Sequence, residues 1–291
     1  MTNQNSKTTP HKLSTMDSTS ELVNDRHSQL NPTRVKHRIS PKSPPQLVED
    51  VKQVGSAGEK ICVAGGRHAM GGQQFLQSGV LLDMTDMNRI INFDSENGFV
   101  EVESGCLWSQ LIPALQERQE GRTEQWTIAQ KQTGCDRLSI GGALAANAHG
   151  RGLSNPPIVP RSSLGSFLYE AAELLREEQA NVIYGTVRLI EKDEETFLAW
   201  AKEPWACTVL NLHVNHQPRD IAHAGRTFCK LIDLAIKYDG SYYLTYHRFA
   251  SRQQMLTCYK QMPLFLKLKA KHDPAGLFCS DWFEYCKKLS G

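Results

Sequence analysis

The stretch that decides the fold is Lys60-Ile61-Cys62-Val63-Ala64, which runs straight into Gly65-Gly66-Arg67-His68-Ala69-Met70-Gly71-Gly72. The first five residues read as a short buried strand. Four glycines among the next eight residues let the main chain approach a ligand closely. Consecutive N–H groups in such a loop make a nest for anionic oxygens. A βαβ dinucleotide fold is excluded. Only seven residues separate Gly72 from the next strand at Val80-Leu81-Leu82-Asp83-Met84, and a helical crossover needs roughly 10–12. The glycine spacing is neither G-x-G-x-x-G nor G-x-x-x-x-G-K-[ST].

Upstream, Leu47, Val48, Val51 and Val54 keep helical spacing, with Gly55 or Gly58 to end the helix. Downstream, residues 90–93 and 99–103 read as strands joined by a turn at Glu96-Asn97-Gly98. Trp108, Leu111, Ile112 and Leu115 form one helical face, and Pro113 predicts a kink or a late start. A second small-residue stretch follows, Ser139-Ile140-Gly141-Gly142-Ala143-Leu144-Ala145-Ala146-Asn147-Ala148-His149-Gly150. Ser139 is placed to cap a short helix whose first turn, Gly141-Gly142-Ala143, would offer bare N–H groups at its positive end. Two such loops in one domain suit a long diphosphate ligand held from two sides. The competing reading is a pair of tight turns and a closely packed small-residue helix.

Pro156, Pro157 and Pro160 mark a break, read as a domain boundary. Beyond it the pattern is a separate α+β unit. Helices are expected over 167–179 and 221–238, strands over 182–190, 208–213 and 242–246, and one further helix over 253–268 with Pro263 in its path. His213 and His216 would face opposite sides of a strand and suit a metal poorly, and no metal site is expected. Residues 1–33, rich in Ser, Thr, Asn and Gln, read as a disordered tail. Arg34-Val35-Lys36-His37-Arg38 reads as a solvated basic linker.

The 291 residues suit about two domains. Thirty-three Lys and Arg against 31 Asp and Glu leave a net charge of +2, so composition makes no case for nucleic acid as a partner. No apolar run is long enough for a transmembrane helix. The eight cysteines, Cys62, Cys106, Cys135, Cys207, Cys229, Cys258, Cys279 and Cys286, form no C-x-x-C and no zinc spacing. Reduced thiols and the lack of an apolar leader lead to the expectation of a cytoplasmic location.

Gly65 to Gly72, then Ser139-Ile140-Gly141-Gly142-Ala143 and Ala148-His149-Gly150, resemble the FAD-binding (PCMH-type) domain of the vanillyl-alcohol oxidase family, in its aldonolactone and alditol oxidase branch. The resemblance covers about residues 28–155 and 165–286. It implies an α+β fold, with an FAD-binding domain over 34–155 and part of a substrate or cap domain over 156–291. It also implies that a stretch of about one domain is missing after residue 152, leaving the second subdomain of the FAD domain incomplete. By the same resemblance, Gly65, Gly66, Arg67, His68, Ala69, Met70 and Gly71 wrap the FAD, and Ser139, Gly141, Gly142, Asn147 and His149 line it. His68 holds the place of a histidine that often bonds the flavin 8α-methyl covalently, although Ala69 stands where Ser is usual. Lys271-His272-Asp273-Pro274-Ala275-Gly276-Leu277-Phe278 resembles the closing segment of that branch. Tyr246-His247-Arg248 resembles its substrate-domain histidine segment, which makes His247 the candidate base and Arg248 its electrostatic helper. The implied activity is oxidation of a CH–OH group of a polyol, sugar or lactone by hydride transfer to FAD. Two alternatives stand beside it: a catalytically inactive remnant or interaction module, and a double-bond reductase acting on a lipid or sterol.

Overall fold

The computed structural model describes residues 20–129, 131, 135–146, 157–244 and 247–290. It opens with a hairpin of β1 (Glu21–Val23) and β2 (Thr33–Val35), followed by β3 (His37–Ile39) and α1 (Pro44–Ser56). Next come β4 (Ile61–Ala64) and β5 (Val80–Asp83), a hairpin of β6 (Ile90–Asp94) and β7 (Phe99–Val102), α2 (Trp108–Arg118) and α3 (Ile140–Ala145). The C-terminal half holds β8 (Pro157–Pro160), α4 (Leu164–Glu177), β9 (Val182–Ile190), β10 (Trp205–Leu212), α5 (Pro218–Lys237), β11 (Ser241–Tyr242), α6 (Arg252–Cys258), α7 (Met262–His272) and α8 (Asp281–Ser290). The class is α+β.

β3, β5 and β4 form a parallel sheet in the order β3-β5-β4. Ile61, Val80 and Leu82 face α1 through Val54, Leu47 and Val51. Cys62, Ala64 and Leu81 face the other way, onto Phe75, Val23 and Val35. Burial on both faces explains the unbroken apolar runs of these strands. α1 starts where Ser43 accepts the Gln46 N–H and two prolines occupy the first turn. The parallel link from β4 to β5 carries no helix; the glycine loop itself makes the crossover. The C-terminal segment returns to this sheet. Ile61 N–H donates to Leu277 O at 2.7 Å and Cys279 N–H to Ile61 O at 2.8 Å, so residues 277–279 line the edge of β4.

The second sheet is antiparallel, in the order β11-β8-β10-β9. One face packs on α4 and α5 through Phe167, Ala171, Phe228 and Leu231. The other packs on α6 to α8 through Tyr242, Met255, Tyr259 and Met262, and Met70 of the glycine loop is buried in that same cluster.

Four expectations are corrected. Residues 20–33 are ordered rather than part of a tail: Val23 and Val35 enter the core, and the polar loop between β1 and β2 is tied to a buried Asp25. The basic 34–38 segment belongs to β2 and β3 and is not a linker, because Val35 of β2 is fully buried against Val23 and Phe75. Of the expected 242–246 strand only Ser241–Tyr242 pairs. Leu244 O is instead bonded by Trp282 Nε1 at 3.1 Å and Gln73 Nε2 at 3.3 Å, and Thr245 and Tyr246 lie outside the described residues. The 253–268 helix is two helices, α6 and α7, since Pro263 suits a helix start and not an interior. Pro113, by contrast, stays inside α2, whose Leu111 and Leu115 pack on the β6–β7 hairpin.

Candidate functional site

The two glycine loops lie directly against each other. A Cβ at Gly65 would come within 2.1 Å of Ser139 Oγ, and one at Gly66 within 2.4 Å of the Arg137 carbonyl. Only glycine permits that approach. Ser139 is buried and caps α3. Its Oγ accepts the Gly142 N–H at 3.3 Å and, across the chain, the Gly66 N–H at 3.4 Å. One oxygen thus sits where N–H groups of both loops converge.

The loops differ in what they leave over. The second was expected to offer bare N–H groups, and it does not. Gly141 N–H donates to Ser104 O at 2.8 Å and Ala143 N–H to Ser139 O at 2.8 Å, while Gly142 N–H is held by Ser139 Oγ. Ser104 packs so close that a Cβ on Gly141 would meet its carbonyl at 2.9 Å. In the first loop, the N–H groups of Arg67, His68 and Ala69 make no hydrogen bond among the described residues. Arg67 takes a left-handed φ of 58°, held by the Arg26 N–H, which donates to Arg67 O at 2.9 Å. Left-handed backbone beside consecutive free N–H groups is an anion nest.

His68 projects from this nest. Its Nδ1 contacts His27 Nε2 at 2.6 Å. Its Nε2 is buried and makes no hydrogen bond, with the Arg137 carbonyl beside it. Burial, reinforced by His27, Arg26 and Arg137, pushes the His68 pKa down to about 4, so the ring is neutral at pH 7. Met70, expected at the cofactor, has its side chain in the C-terminal core. Gly71 N–H is taken by Gln73 Oε1 at 3.0 Å. Asn147 and His149 lie outside the described residues.

His247 and Arg248 come to the end of the first loop. Gly72, at φ +75°, has Arg248 Cζ 3.6 Å from where a Cβ would stand. His247 bonds the Met70 main chain, and burial pushes its pKa down to about 4. It lines a cavity of about 250 Å³ with His27, Met70, His213, His216 and Phe249. That volume is below the ~300 Å³ at which ligand pockets begin, and far too small for FAD. Among the described residues no cluster of three or more His, Cys, Asp or Glu could hold a metal, and no helix is long and apolar enough to cross a membrane.

Sequence reading missed His27, Asp25, Asn31 and Arg137. Asp25 is fully buried. Burial opposes its charge, but hydrogen bonds from Asn31, Ser28 and Gln29 outweigh that and hold its pKa below the ordinary value. Asn31 Nδ2 also donates to Met70 O at 2.6 Å, which ties the 25–31 loop to the glycine loop.

Comparison with known proteins bears on the same residues. Residues 35–156 match the FAD binding domain family. This segment is an FAD-binding domain. Over 115 residues the chain is 30% identical to L-gulono-1,4-lactone dehydrogenase of Mycobacterium tuberculosis, which spans 40% of this chain and 25% of that one. The chain therefore covers about a quarter of the length of the curated relatives it matches. Among solved structures it is similar to CrmK, a flavoenzyme of caerulomycin biosynthesis (TM-score 0.34, 19% identity, 66% of this chain and 32% of that one). It is also similar to the cholesterol oxidase of B. sterolicum (TM-score 0.32, 26% identity, 44% and 23%). The cofactor of the domain is FAD, and the donors still free to meet its diphosphate are the N–H groups of Arg67, His68 and Ala69.

Proposed function

We propose that the chain is an FAD-dependent oxidoreductase acting on a CH–OH group of a small polyol, sugar or lactone. The observation that carries this reading is the packing of His247 and Arg248 onto the same loop that holds the free N–H groups. Arg67, His68 and Ala69 would hold the diphosphate through their free N–H groups, with Gly65 and Gly66 giving it a close approach; Ser139 and Gly142 brace that loop from behind, and Gly141 serves by letting Ser104 pack close. When bound, FAD supplies the hydride acceptor. His247 is neutral at pH 7 and can accept a hydrogen bond from a substrate hydroxyl. At a pKa of about 4 it is a weak base, so its main work is orientation. Arg248, beside Gly72, would supply a positive charge to stabilise a developing alkoxide. The domain scheme that goes with this is an FAD-binding unit over 34–155 and a partial substrate unit over 156–291.

A second reading, a flavin-binding module without turnover on its own, is favoured by β9. This nine-residue strand ends its sheet with Ile183 58% and Leu189 65% exposed. An apolar edge of that length with no further strand beside it among the described residues favours self-association. Absorbance and fluorescence titration with FAD, paired with turnover on a panel of polyols and aldonolactones, separates the readings. Flavin bands with substrate-dependent bleaching support the first. Flavin binding without bleaching supports the second, and absence of binding overturns both. Ile183→Lys should reduce self-association in sedimentation if β9 drives it.

A further inference from the structure

The 2.6 Å contact between His27 Nε2 and His68 Nδ1 is unlike the other contacts of the glycine loop, because it joins two imidazoles from loops far apart in sequence. The rings are 4.6 Å apart between centroids and tilted by 58°, an edge-on approach and not a stack. A hydrogen bond between two neutral imidazoles needs one donor and one acceptor. The second nitrogen of His68 decides which is which. With Nδ1 engaged by His27, Nε2 is the nitrogen left to face the Arg137 carbonyl, and both lie around the same point at Gly66; an acceptor there favours a proton on Nε2, so Nδ1 is left as the acceptor and His27 Nε2–H donates.

His27 is itself held firmly. Its N–H donates to Asp25 Oδ1 at 3.0 Å. Asp25 is gripped by Ser28 Oγ at 2.9 Å and Asn31 Nδ2 at 3.0 Å. The neighbouring Arg26 N–H donates to Arg67 O at 2.9 Å, so the loop that carries His27 is bonded to the loop that carries His68. The groups facing the pair are Asp25, Arg26 and Arg137.

We propose that His27 is a positioning residue for His68: its Nε2–H donates to His68 Nδ1 and fixes that imidazole in one orientation and in the Nε2-protonated tautomer. His68 thereby keeps its Nε2–H turned to the Arg137 carbonyl, which locks the ring against the glycine loop. The consequence for FAD rests on the reading of that loop as the flavin site given above. On that reading a fixed His68 ring keeps the N–H groups of Arg67 to Ala69 in the shape that receives the diphosphate. His27 then contributes to cofactor affinity without touching the cofactor.

The test is carried out on the full chain without FAD. Long-range ¹H–¹⁵N correlation spectra identify which ring nitrogen of His68 carries the proton. In the wild type, Nε2 should be protonated and Nδ1 should show the shift of a hydrogen-bonded acceptor, with a pKa near 4. In His27→Ala the two tautomers should mix and the His68 pKa should rise towards the ordinary histidine value. His27→Gln, whose amide N–H reaches the same place, should restore the single tautomer. FAD affinity by fluorescence quenching should follow the same order, falling about 10-fold in His27→Ala, equal to ~1.4 kcal/mol, and recovering in His27→Gln. A His68 spectrum that ignores both substitutions overturns the proposal even if FAD binds normally. A His27-dependent tautomer in a chain that binds no FAD upholds the positioning role and removes the flavin reading instead.

Discussion

The two glycine loops look alike in composition and behave differently in the fold. In the first, Arg67, His68 and Ala69 keep free N–H groups, and neighbours such as Arg26 and His27 hold the loop by its carbonyl and its side chain. In the second, Gly141, Gly142 and Ala143 have spent their N–H groups on Ser104 and Ser139. Glycine serves ligand approach in one and chain-to-chain packing in the other. A small-residue helix start is therefore no anion site until its donors are accounted for one by one.

The largest expected effect comes from closing the contact between the loops. In Gly66→Ala the new Cβ would lie 2.4 Å from the Arg137 carbonyl, which is main chain and has to move. A loss of about 1–3 kcal/mol is expected in urea unfolding, with FAD affinity falling roughly 100-fold, or ~2.7 kcal/mol. An unchanged Kd would mean that the loops are not jointly responsible for binding.

Acid should come next, acting through His68 in the first loop and through His247 packed against it. His68 and His247 both have pKa values of about 4 in the fold against 6.5 unfolded. Between those values the unfolded chain binds more protons. The stability from each is complete above pH 6.5 and is lost as pH falls towards 4. Thermal melts from pH 7.5 to 4.5 should show Tm falling, more gently in His247→Gln. Equal slopes in the two proteins would show that His247 is not held neutral by burial.

Ser139→Ala is expected to cost about 1 kcal/mol as the loss of a helix cap. It also removes the oxygen shared by the Gly66 and Gly142 N–H groups. Stability should drop while FAD affinity is kept within a few-fold, because a phosphate oxygen can take the vacated position. The smallest effect is expected for Gly142→Ala, whose Cβ would meet only the rotatable Ser139 hydroxyl, at 2.8 Å. A loss as large as that of Gly66→Ala would erase the distinction between the loops.

Much of this was legible from sequence. The β4 strand with its glycine loop, the Ser139 cap and α5 with its apolar stripe all follow local patterning that the packing agrees with. The 20–33 segment was not legible. Its order depends on one buried carboxylate, Asp25, satisfied by the polar residues whose abundance reads as disorder. The exhausted donors of α3 were equally hidden, since the acceptor of the Gly141 N–H, Ser104, sits 37 residues away and carries no motif. His247 and Arg248 were found only through the resemblance, and their meeting with Gly72 is a tertiary fact.

The central claim is that the free N–H groups of the first loop form the diphosphate site. Amide ¹H–¹⁵N spectra of the full chain during FAD titration test it residue by residue. The amides of Arg67, His68 and Ala69 should move downfield and saturate together, while those of Gly141 and Ala143 stay nearly still. Saturating shifts confined to Gly141, Gly142 and Ala143, with the first loop unmoved, would contradict it.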